Sequence, residues 1–240
     1  FMFLKQYLKD LGCRFIGGAD WGFTDLTCLV VLGLMPNGDI FHLDTLALGG
    51  LELDDIVKYA VEMNDDWGIE KWYVDQAAPA YIKTLKRKGL KIPKFDKVVV
   101  DGIAALQGKI VNSDNIRKYY IIDTPNNNCV IEAFGQYMWK TDGKGEIIEG
   151  KPEHGTDGTA DIMDAIRYPF QCLFVKGGRV AFASADGTSN KDKDIIKNSN
   201  NLGQVANVLN KQIISSKIDE LATADKNKPK KNSRKKILWW

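Results

Sequence analysis

Phe15-Ile16-Gly17-Gly18-Ala19-Asp20-Trp21-Gly22-Phe23-Thr24 decides how this chain is read. A short apolar run with two glycines ends on a carboxylate, and tryptophan and glycine follow at once. Two readings fit. Asp and Gly are frequent where a strand reverses, so Asp20 can be a turn residue. A strand tip is also a rigid mount for a carboxylate that holds a cation. The choice depends on what the rest of the chain can bring to that tip.

Working outward, Arg14 to Ala19 is predicted as the first strand. Thr27 to Leu34 (TCLVVLGL) is short, β-branched and almost wholly apolar, which predicts a buried strand. Pro36-Asn37-Gly38-Asp39 is a hairpin turn, and Ile40 to Leu46 alternates as a third strand. The opening is therefore an antiparallel meander. Leu53, Ile56, Val57, Ala60, Val61 and Met63 recur at helical spacing, predicting a helix over 51–67. Lys71 to Val74 is a fourth strand that ends at Asp75. Pro79 suits a first helical turn and Gly89 closes that helix.

Beyond it, Lys97 to Val100 is expected as a short strand and Asp101 as the cap of a helix running to Asn112. Tyr119 to Ile122 is a strand, Asn127 to Trp139 a helix, and Glu146 to Glu149 a strand of a surface hairpin. Thr159 is expected to cap a last helix reaching about Phe174. The order predicts an α/β fold: a mixed sheet, meander plus strands reached through helices, with helices on its faces.

Composition bounds the class. At 240 residues, 44% hydrophobic and 27% charged, the chain has material for one large domain, or a domain and a tail. The net charge of +2 does not by itself mark a nucleic-acid binder. Its distribution says more: KNKPKKNSRKK at 226–236 carries seven basic residues and no acidic one. The expected division is an upstream helix end or linker at 1–13, a folded domain at 14–176, and a polar, basic, flexible tail at 177–240 with a helix at 202–221. The opening FMFLKQYLKDLG reads as the last turns of a helix continued from a longer protein. The four cysteines form no C-x-x-C pair and read as free thiols of a reducing compartment. No run approaches the ~18 apolar residues of a membrane span.

Three acids stand at places where a charge is costly. Asp20 and Asp75 end predicted strands, and Asp164 lies in Thr159-Ala-Asp-Ile-Met-Asp-Ala-Ile-Arg-Tyr168 among apolar neighbours. Asp161 precedes Asp164 by three residues and shares its helix face, although a first-turn acid also answers the helix dipole. Converging carboxylates repel one another unless a cation neutralises them. Mg²⁺ or Mn²⁺ takes such oxygens, and two such ions can activate a water and stabilise the leaving oxygen of a phosphodiester.

Together, Phe15 to Thr27, Val74-Asp-Gln-Ala77 and Asp161-Ile-Met-Asp-Ala-Ile-Arg-Tyr168 resemble the C-terminal nuclease domain of tailed-phage large terminases. Pro79 to Gly89 and Glu132 to Trp139 also fit, and the resemblance covers about 14–174. It implies a ribonuclease H-like fold and two-metal (Mg²⁺ or Mn²⁺) cleavage of double-stranded viral DNA during genome packaging. By position, Asp20 would be shared by both ions, Asp75 and Asp164 would each bind one, and Asp161 would assist. His154 and Asp157, in the loop before the last helix, are accessory candidates or plain polar loop residues. Lys83, Lys86, Arg87 and Lys88 are candidate DNA contacts or a solvated helix face. The resemblance also implies partners: an ATPase motor domain, a small terminase subunit and a portal, in the host cytoplasm and with no membrane.

The motor itself has no counterpart here. Gly102-Ile-Ala-Ala-Leu-Gln-Gly108-Lys109-Ile110 has one residue too many between its glycines for a phosphate-binding loop, and Ile in place of Ser or Thr. Asp20 to Thr27 also resembles the first phosphate-binding turn of actin-like ATPases and sugar kinases, but those need a second copy of the domain. Another ribonuclease H-like nuclease, such as a junction resolvase, or an inactive DNA-binding domain of that fold, are the remaining alternatives.

Overall fold

The computed structural model describes residues 2–22, 26–153, 157–176 and 179–180. Phe23-Thr24-Asp25, His154 and the expected tail from 181 onward, including the helix at 202–221, lie outside the described residues.

The meander is present. Strands β1 (Arg14–Asp20), β2 (Leu26–Leu34) and β3 (Ile40–Gly49) pair antiparallel in sequence. The short β4 (Trp72–Val74) joins β1 in parallel, and β5 (Tyr119–Ile121) joins β3 in parallel. The five-stranded order is β4-β1-β2-β3-β5, a mixed sheet. One face is covered by α1 (Met2–Asp10), α2 (Leu53–Trp67) and α3 (Pro79–Arg87). The other is covered by α4 (Val99–Ile110), α5 (Asn128–Gln136) and α6 (Thr159–Phe174).

Alternation along the strands sorts the side chains between these layers. Phe15 and Ala19 of β1 join the core under α1–α3, and Ile16 joins the core under α6. Gly18 and Asp20 therefore face α6. In β4, Trp72 and Val74 point to the first core and Tyr73 to the second. Asp75, next in the alternation, follows Tyr73 to the α6 side.

Helix α6 lies unusually close to β1. A Cβ at Gly18 would come 2.0 Å from the Ala165 carbonyl oxygen and 3.0 Å from Pro169 Cγ. Pro169, inside α6, has no N–H to offer the Ala165 carbonyl four residues earlier. The carbonyl thus freed from the helix leans on Gly18, the position on this face of β1 with no side chain to obstruct it.

Several sequence expectations are corrected. Lys97 to Val100 is not a strand: Val98 is the N-cap and α4 starts at Val99. The valines favour a strand locally, but Ile103, Leu106 and Ile110 continue a helical stripe into the core under α6, and packing overrides propensity. Asp101 is consequently inside the first turn and is not the cap. The helix expected over 127–139 is a 3-10 turn (Pro125–Asn127) followed by α5, which ends at Gln136. Asn127 is fully buried and spends its side chain on β3 and the residue after β5: its amide donates to the Leu43 and Ile122 carbonyls, and its oxygen accepts from Thr45 Oγ1. Trp139 instead opens β6 (Trp139–Thr141), which pairs with β7 (Ile147–Pro152) as the expected surface hairpin. Gly158, in the left-handed region at φ 76°, is the N-cap of α6, and Thr159 is its first residue. Cys13, Cys28, Cys129 and Cys172 are free thiols. After α6, β8 (Val175–Lys176) and β9 (Arg179–Val180) form a two-stranded ribbon.

Candidate active site

Asp20 and Asp75 end adjacent parallel strands whose register pairs Ala19 with Val74. The Asp75 amide donates to the Ala19 carbonyl at 3.0 Å, so the two acids leave the sheet side by side. Trp21 is fixed just past the strand: its indole N–H donates to the Asp75 carbonyl at 3.1 Å, and its ring meets Tyr81 of α3 edge-on. That is why tryptophan directly follows the carboxylate.

Asp164 arrives from α6, where Tyr168 stands one turn later on the same face. The Tyr168 hydroxyl donates to Asp20 Oδ1 at 2.9 Å and lies 3.3 Å from Asp164 Oδ2. Lys97, just before α4, places its ammonium 3.5 Å from Asp75 Oδ1 and 3.7 Å from Asp164 Oδ2. From the core side, Arg167 donates Nε to Asp164 Oδ1 at 3.1 Å, and its Nη2 lies 2.8 Å from the same oxygen, off hydrogen-bond geometry. The three predicted acids do converge, joined through a phenol and an ammonium.

The electrostatics match this crowding. The Asp20 carboxyl is pushed up from 3.8 to about 7, chiefly by burial and then by the charge of Asp164, with Asp75 adding to it. The Tyr168 hydrogen bond and Lys97 work the other way. Tyr168 is itself raised, by burial first and then by Asp20 and Asp164, so its hydroxyl stays a donor. Burial opposes the charge on Arg167, yet the Coulomb attraction and hydrogen bond of Asp164 leave its pKa above the ordinary value.

Among the described residues, no three carboxylate, thiol or imidazole groups are gathered around a single ion's position. The donor set still fits hard divalent cations. It is all carboxylate oxygen on two strand tips and one helix, and Asp20 is raised by burial first and by the charge of Asp164 second, so a cation beside it would favour its ionised form.

The other candidates separate. Asp161 Oδ2 accepts from the Leu26 amide at 3.3 Å, tying α6 to the start of β2. Asp157 accepts from the Thr159 amide at 3.1 Å, across the Gly158 N-cap at the start of α6. Lys83, Lys86 and Arg87 line an open groove of about 610 Å³ with Gln76, Pro79, Ile82 and Lys94. Gln76 lines this basic groove, and none of the three acids does. Lys88 is exposed at the end of α3, off the groove lining. Sequence reasoning assigned no role to Tyr168, Arg167 or Lys97. The first two carry a signal, standing four and three residues after Asp164 on one helix face; Lys97 carries none.

No family model matches the chain, and no curated protein does. Among solved structures, the nuclease domain of the large terminase g2p from bacteriophage SPP1, solved with bound Mn, is similar at 20% identity and TM-score 0.52 over 66% of this chain and 86% of that one. The large terminase of a thermophilic bacteriophage is similar at 18% identity and TM-score 0.56 over 67% of this chain and 40% of that one. This chain has the large-terminase nuclease fold. That fold is ribonuclease H-like, a mixed sheet of parallel and antiparallel strands flanked by helices. The thermophilic-phage protein has also been solved in complex with ADP, and there the match is 20% identity and TM-score 0.54. The chain thus spans well under half the length of that large terminase. Among the described residues, no helix is long and apolar enough to cross a membrane.

Proposed function

We propose that this chain is the nuclease domain of a phage large terminase, cutting double-stranded viral DNA by two-metal hydrolysis during genome packaging. The convergence of Asp20 and Asp164 on the Tyr168 hydroxyl, and of Asp75 and Asp164 on the Lys97 ammonium, carries the reading. The Mn bound in the SPP1 nuclease supports the choice of cation. Asp20, Asp75 and Asp164 would hold two ions, Mg²⁺ or Mn²⁺, with Asp20 shared; Asp161, whose Oδ2 accepts from the Leu26 amide, would assist by holding α6 against β2. The chemistry such ions supply is activation of a water nucleophile and stabilisation of the leaving 3′ oxygen.

The chain's own residues prepare that site. Asp20 has to give up its proton to act as a ligand, and with its carboxyl raised to about 7 this occurs near neutral pH. Tyr168 orients Asp20 by donating to Oδ1. Arg167 holds Asp164 Oδ1 from the buried side, which leaves Oδ2 facing Tyr168 and Lys97. The groove of Lys83, Lys86 and Arg87 would take backbone phosphates, giving salt-sensitive binding with little sequence preference. The packaging setting follows from the same reading: an ATPase motor, a small terminase subunit and a portal as partners, in the host cytoplasm.

The test is incubation with supercoiled plasmid and Mg²⁺ or Mn²⁺, with EDTA and Asp75→Asn as controls. Metal-dependent linearisation, lost in both controls, is expected. No cleavage by folded protein with either metal would overturn the reading in favour of an inactive DNA-binding domain.

A further inference from the structure

Two cations serve Asp164, and they differ in kind. The Arg167 side chain is 1% exposed and packed in the core, with Nη2 at 2.8 Å from Oδ1. The Lys97 side chain is 39% exposed and stands at 3.5 and 3.7 Å from its two carboxylates, beyond hydrogen-bond length for an ammonium. Its ammonium also lies 4.9 Å from the centroid of the Tyr168 ring. Lys97 thus bridges the end of β4 and α6 from a segment without regular structure, on a flexible four-carbon stem. Arg167 is built in; Lys97 is held loosely enough to leave.

We propose that Lys97 is a displaceable internal counter-ion: it draws Asp75 and Asp164 together and competes with divalent cations for them, setting the metal concentration at which the site loads. The proposal rests on the metal-site reading above. An ammonium and a divalent cation on the same pair of carboxylates repel each other, so loading requires Lys97 to swing outward. Its exposure leaves the path open. The same contact limits self-repulsion between the acids before loading, so Lys97 is a positioning residue for the carboxylates.

The test is Mn²⁺ binding by calorimetry, together with the unfolding temperature, for the wild type, Lys97→Met and Lys97→Arg. Methionine keeps an apolar stem against Tyr168 and removes the charge; arginine keeps the charge. Exposed ion pairs are weak, so Lys97→Met should bind Mn²⁺ about three- to tenfold more tightly than the wild type. It should also unfold at a lower temperature without metal. Lys97→Arg should bind as the wild type does. Equal or weaker binding by Lys97→Met, or a tightening that Lys97→Arg shares, would overturn the role of Lys97 alone. Absence of Mn²⁺ binding by the wild type would instead overturn the metal-site reading, and this inference with it.

Discussion

Replacing Asp20 by Asn should make the metal-free protein more stable above neutral pH. The carboxyl goes from 3.8 to about 7 on folding, through burial first and the charge of Asp164 second. Below 3.8 both folded and unfolded chains hold the proton, and Asp20 costs the fold nothing. Between 3.8 and about 7 the unfolded chain releases its proton while the folded chain keeps it, so stability falls as pH rises. Above about 7 both forms are ionised and the loss is complete. Each pH unit of that window is worth about 1.36 kcal/mol, which sets an upper figure of about 4 kcal/mol.

Asn keeps an oxygen to accept from Tyr168 and removes only the charge. A gain of about 2–4 kcal/mol would raise the unfolding temperature by roughly 5–15 °C in a chain of this size. The assay is urea unfolding of wild type and Asp20→Asn without divalent ions, from about pH 5 to about pH 8.5. The difference between the two should widen by about 2–3 kcal/mol across that range. Adding Mn²⁺ at the upper end should restore the wild type and leave Asp20→Asn unmoved. Parallel stability curves across the range would refute the account of Asp20 as a buried, under-compensated carboxylate.

Two further substitutions probe how the site is assembled. Gly18→Ala places a Cβ 2.0 Å from the Ala165 oxygen, forcing α6 off the sheet. It should cost about 1–3 kcal/mol in urea unfolding, and a shift of ~1 Å in Asp164 should lower plasmid cleavage by about 100-fold. Gly135→Ala, where an added Cβ meets nothing, is the matched control and should cost neither. Arg167→Met leaves Asp164 without its buried partner and should destabilise by about 3–5 kcal/mol, read from the urea midpoint.

Part of this protein was legible from local pattern. Gly17-Gly18-Ala19-Asp20 as a strand tip, the hairpin at 36–39, Val74-Asp75 as a second tip and the helix from Thr159 all follow from periodicity and turn chemistry, which act over a few residues. So did the three acids, because each stood at a place where a charge is costly. Where local propensity and packing disagreed, packing won: Val98-Val99-Val100 enters a helix, and Asn127 is drawn to β3.

The pairing of the acids belonged to tertiary structure. Asp20 stands beside Asp75 because β4 adds to β1 in one parallel register, and the sequence contains no mark of that register. Asp164 reaches them because α6 crosses where Gly18 has no side chain and Pro169 frees a carbonyl. Lys97 shows the limit most plainly. It is an ordinary lysine in a loop, 22 residues after Asp75 and 67 before Asp164 by its place in the chain. Coulomb forces depend on distance in space, and only the folded chain sets that distance.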